Sequence, residues 1–78
     1  MFVIYLSSES NTKDYGNYYG YYAGKCYIKD GDVFPVTDSG MTERTKKYKS
    51  YGMAFRGAEA VLKKCGYVNS YEIEEIKD

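Results

Sequence analysis

The chain contains no histidine, a single proline and two cysteines, and its eleven basic and eleven acidic residues cancel. Each shortage removes a class of function. Without histidine there is no imidazole to activate a thiol or hydroxyl nucleophile. A zinc site built on Cys26 and Cys65 would need carboxylates to complete it, and these two residues stand in no CxxC or other ligand spacing. Zero net charge argues against a general polyanion binder and equally against an acidic mimic of DNA. The N-terminal apolar run, MFVIYL, has six residues. It lacks a basic start and a small-residue cleavage site and is far too short to span a bilayer, so it is read as neither signal peptide nor membrane segment. The residues call for no metal and no cofactor. The expectation is a cytoplasmic protein with reduced thiols.

Tyrosine is abundant, with eleven in 78 residues. The stretch DYGNYYGYYAGKCYI, residues 14–28, holds six of them together with three glycines. A chain this short supports one core, so residues 1–78 are read as a single domain. FVIYLS, residues 2–7, is β-branched and aromatic and predicts a first strand. Residues 7–17, rich in Ser, Asn, Asp and Gly, predict a loop that could bind a partner. Alternation then predicts a long second strand over 18–28, with Tyr18, Gly20, Tyr22, Gly24, Cys26 and Ile28 on one face and Tyr19, Tyr21, Ala23, Lys25 and Tyr27 on the other. Asp30-Gly31 suits a two-residue type I′ turn. That turn pairs Lys29 with Asp32, Ile28 with Val33, Tyr27 with Phe34 and Cys26 with Pro35, which makes the proline strand an edge.

Residues 37–43 read as a second loop, and Thr45 to Tyr48 as a candidate short strand. Apolar residues at 54, 58, 61, 62 and 65 have the spacing of an amphipathic helix. Ser50 is its N-cap, Lys63 and Lys64 suit its negative end, and Gly66 is its stop. VNSYEIEEI, residues 68–76, closes the chain with a strand that turns Tyr71 and Ile73 inward. The order β-β-β-α-β predicts an α+β fold, an antiparallel sheet of about four strands with one helix on one face. The glycine-lined side of the second strand, Gly20 and Gly24 with Cys26, is expected beneath the helix, with Tyr18, Tyr22 and Ile28 at the rim. Tyr19, Tyr21, Lys25 and Tyr27 are then left on an uncovered face.

Several motifs reduce to structural roles. Gly16, Gly20 and Gly24 before Lys25 lack P-loop spacing and lie in a strand rather than at a strand-to-helix turn. Asp30 and Asp32 are turn residues, because Val33, Phe34 and Pro35 interrupt any EF-hand pattern. Glu72, Glu74 and Glu75 read as the solvated face of a terminal strand rather than as an acid/base set. Cys26 and Cys65 read as small buried hydrophobes. From 44 to 64, Arg44, Lys46, Lys47, Lys49, Arg56, Lys63 and Lys64 face Glu59 alone, a local balance of +6. That is either a patch for nucleic acid or an acidic partner, or the solvated side of a helix and its approach.

YKSYGMAFRGAEAVLKKCG, residues 48–66, followed by YEIEEI resembles the small phage-encoded proteins of low-GC Gram-positive bacteria, among which anti-CRISPR inhibitors are prominent. The likeness covers about the last 35 residues. It implies a non-enzymatic, stoichiometric blocker of a host defence complex, such as an RNA-guided CRISPR nuclease, acting in the host cytosol. That family shares no functional motif, so no residue role is carried over. The residues themselves nominate Tyr19, Tyr21, Tyr27 and Lys25, aided by Lys46, Lys47 and Lys49, as a protein-binding surface. Two alternatives use the same face: stacking of RNA or single-stranded nucleic acid on the tyrosines, and homodimerisation.

Overall fold

The computed structural model describes residues 1–8, 18–66 and 68–77, with the side chains of residues 8, 18 and 19 outside the description. Five elements follow in the expected order: β1 (Phe2–Ser8), β2 (Tyr18–Lys29), β3 (Asp32–Asp38), α1 (Tyr51–Lys64) and β4 (Ser70–Glu75). The strands form one sheet in the order β3-β2-β1-β4, antiparallel throughout. Of the loop expected over 7–17, residues 7 and 8 extend β1 and the rest lie outside the described residues.

Local chemistry sets the hairpin. Asp30 (φ 53°) and Gly31 (φ 84°) both take left-handed backbone, as a type I′ turn requires. The register follows from it: Lys29 lies opposite Asp32, Ile28 opposite Val33, Tyr27 opposite Phe34 and Cys26 opposite Pro35. Because β3 is an edge, Pro35 at a non-hydrogen-bonded position removes nothing from the ladder. Its ring is fully buried.

Further along, the ladder is interrupted. From Tyr22 to Cys26, β2 advances four residues while β3 advances only two, from Thr37 to Pro35. This bulge contains Gly24 at φ 86°. A bulge bends and twists its strand, and β1 is paired with β2 no further than Tyr5 opposite Tyr21. Residues 46–48 fill the resulting gap. The Lys46 N–H donates to the Tyr22 carbonyl at 2.9 Å, and Tyr48 exchanges two bonds of 2.8 Å with Phe2. The short strand predicted over Thr45–Tyr48 is thus a wedge with one isolated bridge. Its approach is anchored by the Thr42 N–H donating to Oγ1 of buried Thr45 at 2.9 Å. Arg44 adds a fork onto the Asp38 carboxylate at 2.7 and 2.6 Å. Thr37 and Asp38, predicted in the loop, belong to β3.

Ser50 caps α1 from extended backbone, its Oγ accepting the Met53 N–H at 3.2 Å. The helix ends at Cys65, also extended (φ −107°, ψ 98°), with Lys63 and Lys64 in its last turn and Gly66 next in sequence. Its inward stripe, Ala54, Ala58, Val61 and Cys65, packs with Ile4, Leu6, Tyr22 and Val68, and Leu62, Tyr71 and Ile73 close the margin. Burial of Ile4 and Leu6 contributes about 2 kcal/mol each.

Three expectations are corrected. The helix lies chiefly over β1 and β4 and reaches β3, rather than crossing the glycines of β2. Those glycines admit other neighbours: a Cβ on Gly20 would stand 2.8 Å from the Asp38 carbonyl and from Thr37, and one on Gly24 3.2 Å from the Lys46 stem. Ile28, expected at the core rim, is 74% exposed, because it sits two residues from the turn and past Cys26, where packing of β2 against the core stops. Nor is the face away from the helix simply open, since Val3 is fully buried there and Phe34 is 7% exposed.

Candidate partner-binding surface

The nominated residues fall into three groups. Tyr19 lies in β2 opposite Ser7, and its side chain is outside the described residues. Tyr21 is half-buried and sits edge-on against Tyr5, ring centroids 4.9 Å apart. Its hydroxyl donates to the Glu74 carboxylate of β4, with Oε1 at 3.1 Å and Oε2 at 3.3 Å. Burial raises the Tyr21 phenol, and the carboxylate that accepts its proton raises it further. That ring bridges β2 to β4 across β1. It is part of the sheet's own fabric rather than a free platform.

The second group gathers where the sheet divides. The Lys46 stem packs over Gly24, next in sequence to exposed Lys25, and its Nζ stands 5.7 Å from the Tyr48 ring centroid. Tyr48 in turn lies over Gly57, where a Cβ would meet its hydroxyl at 2.7 Å. Lys47 and Lys49 are exposed. Arg44, counted in the basic run, is tied to Asp38, whose carboxyl is held below its ordinary value first by the guanidinium hydrogen bonds.

The third group is the outer half of the β2–β3 hairpin. Tyr27, 44% exposed, stacks on Phe34 with centroids 5.6 Å apart and planes 26° apart. Ile28 points to the other side of the hairpin, opposite Val33. Lys25 and Lys29 lie two residues to either side of Tyr27 along β2, and both are exposed. The arm therefore carries an aromatic ring flanked by Lys25 and Lys29 on one side and an exposed branched aliphatic on the other. Sequence reading named Tyr27 and Lys25 and missed Ile28. No local signal gave its exposure, since Val33, opposite it and as near the Asp30-Gly31 turn, packs against the core.

No family model, curated protein or solved structure matches this chain.

Other exposed rings are accounted for by the fold. Tyr51 and Phe55 on α1 meet Phe2 and Tyr71 edge-on, with centroids 6.0 and 6.2 Å apart, and so lap over the β1–β4 side of the sheet. The resolved pKa shifts all run away from neutrality. Burial is the leading cause for Tyr21, Tyr22, Tyr48 and Tyr71, all raised. Burial, then the adjacent Cys26, pushes the Cys65 thiol up to about 12. None of these shifts brings a group toward the operating pH, where acid–base work calls for one. Among the described residues no group of three cysteine or carboxylate side chains could hold a metal ion, and no helix is long and apolar enough to cross a membrane.

Proposed function

We propose that this chain acts by binding, as a stoichiometric, non-enzymatic inhibitor of the small phage-encoded, anti-CRISPR type, and that it meets its protein partner with the outer half of the β2–β3 hairpin. One observation carries the reading: Ile28, 74% exposed, and Tyr27, 44% exposed, stand on the two sides of one arm where neither side chain serves the helix-side core. Rigid aromatic and aliphatic anchors within a polar rim are how protein interfaces concentrate affinity. Lys25 and Lys29 supply that rim beside Tyr27 and favour an acidic margin on the partner.

The test is a titration of the chain into target-cleavage reactions of RNA-guided nucleases from Gram-positive bacteria. Cleavage should stop near equimolar addition. Ile28→Asp should leave the thermal midpoint unchanged and weaken inhibition more than tenfold. Full cleavage across the panel at excess inhibitor would reject the partner class, and an equally potent Ile28→Asp would reject the hairpin as the contact.

A second reading has its own support. Tyr27 with a lysine two residues to either side matches the stacking-plus-cation grammar of single-strand binding. Fluorescence titration with oligonucleotides at low and high salt separates the two, since stacking on a cationic arm gives an affinity that drops steeply with salt. Absence of binding at low salt eliminates it.

A further inference from the structure

Cys26 and Cys65 stand 39 positions apart in sequence, yet their sulfur atoms lie 3.9 Å apart. Both are free thiols. A disulfide needs a sulfur separation of about 2.0 Å, so each sulfur has roughly 1 Å to travel. The two backbones are placed to allow it. Cys26 follows the Gly24 bulge in β2, and Cys65 is the C-cap of α1, already outside helical conformation. Cys65 is buried while Cys26 is half-buried, and the Tyr22 hydroxyl lies 3.9 Å from the Cys26 sulfur. Reagents therefore meet Cys26 before Cys65.

We infer that Cys26 and Cys65 form a redox-responsive dithiol site, which a disulfide oxidant of the glutathione class closes into an intramolecular bridge between β2 and the C-terminal end of α1. The chemistry balances in two exchanges. The Cys26 thiol gives up its proton, and its sulfur attacks one sulfur of the oxidant. The oxidant's S–S bond breaks, a mixed disulfide forms on Cys26, and the first small thiol leaves with a proton. Cys65, deprotonated in turn, attacks the Cys26 sulfur and expels the second small thiol. Two protein thiols have lost two electrons and two protons, and one oxidised glutathione has become two reduced ones. The bridge encloses the chain from residue 26 to residue 65, a long loop whose restriction in the unfolded ensemble favours the folded state. The site is independent of the identity of any partner.

The experiment uses the full chain, folded and without denaturant, incubated with oxidised glutathione and read by intact mass and peptide mapping. The expected product weighs two hydrogens less than the reduced chain, links the Cys26 and Cys65 peptides, and resists iodoacetamide until dithiothreitol is added. Its thermal midpoint rises by about 10 °C. Cys65→Ala should stop at the first exchange and carry one glutathione on Cys26. Unchanged mass in the wild-type chain, a chain retaining glutathione on either cysteine, or a disulfide-linked dimer as the main product would overturn the inference.

Discussion

At the residue scale, one added methyl group separates crowding from backbone conformation. Gly20→Ala would place its Cβ 2.8 Å from the Asp38 carbonyl oxygen and the Thr37 Cβ. The obstacle is the Asp38 carbonyl together with the Thr37 side chain at its branch, so the strand end must move. We expect a loss of about 1–3 kcal/mol in urea denaturation. Gly31→Ala meets no neighbour within 4 Å and carries only the strain of φ 84°, worth about 1–2 kcal/mol. A Gly20→Ala that leaves the urea midpoint unchanged would refute the close approach of β3. The sequence pattern announced that something comes near Gly20 and Gly24 and misnamed what. Alternation assigns a side chain to a face, but it is blind to a bulge that folds a neighbouring strand and the Lys46 stem onto those positions. For the same reason Tyr21 looked open: its tether, Glu74, lies 53 positions away, and no local pattern encodes that contact.

At the element scale, α1 rests on its cap. With no acidic residue in the first turn, the Ser50 hydroxyl bonding to the Met53 N–H is the chief side-chain support at that end. Ser50→Ala should cost about 1 kcal/mol, while Ser50→Asp keeps the acceptor, adds a charge favourable to the dipole and should hold or exceed wild-type stability. Equal midpoints for all three chains in thermal melts would remove the cap from the account. The helix and the hairpin were legible because their signals are local: Ser50, the 54-58-61-62-65 stripe and Asp30-Gly31 each act within a few residues. The segment at 46–48 was legible only as a candidate short strand; the partners it wedges between were not. Its bonds go to Phe2 and Tyr22, and a segment of three residues has no period to detect. The candidate surface was half legible for a related reason, since alternation along β2 put Tyr27 on the uncovered face, while the exposure of Ile28 depends on where the core ends.

At the scale of the whole molecule, the raised thiol and phenols make stability fall in alkali. Cys65 titrates at about 12 in the fold against 9.0 in the open chain. Between those values the unfolded state binds fewer protons, so unfolding becomes easier as pH rises through that window. Tyr22 and Tyr48, raised from 10.0, add to the same trend from pH 10 upward. The urea midpoint should hold steady up to about pH 8.5 and then decline. Cys65→Ala should lessen the decline between pH 9 and 10, where the thiol leads and the phenols are only beginning to contribute. A midpoint independent of pH from 8 to 11 would contradict the buried placement of these groups.

The wedge between β1 and β2 also gives the protein a mechanical character. Above Tyr5 and Tyr21 the two inner strands no longer hold each other directly, so the hairpin is a lever whose latch is the amide hydrogens of Lys46 and Tyr48. A force applied at Ile28 is shared between that latch and the packing of Cys26 and Val33 on the interior. Slow exchange at those two amides reports the lever shut; accelerated exchange there, with β4 still protected, reports it lifted while the rest of the protein stays folded.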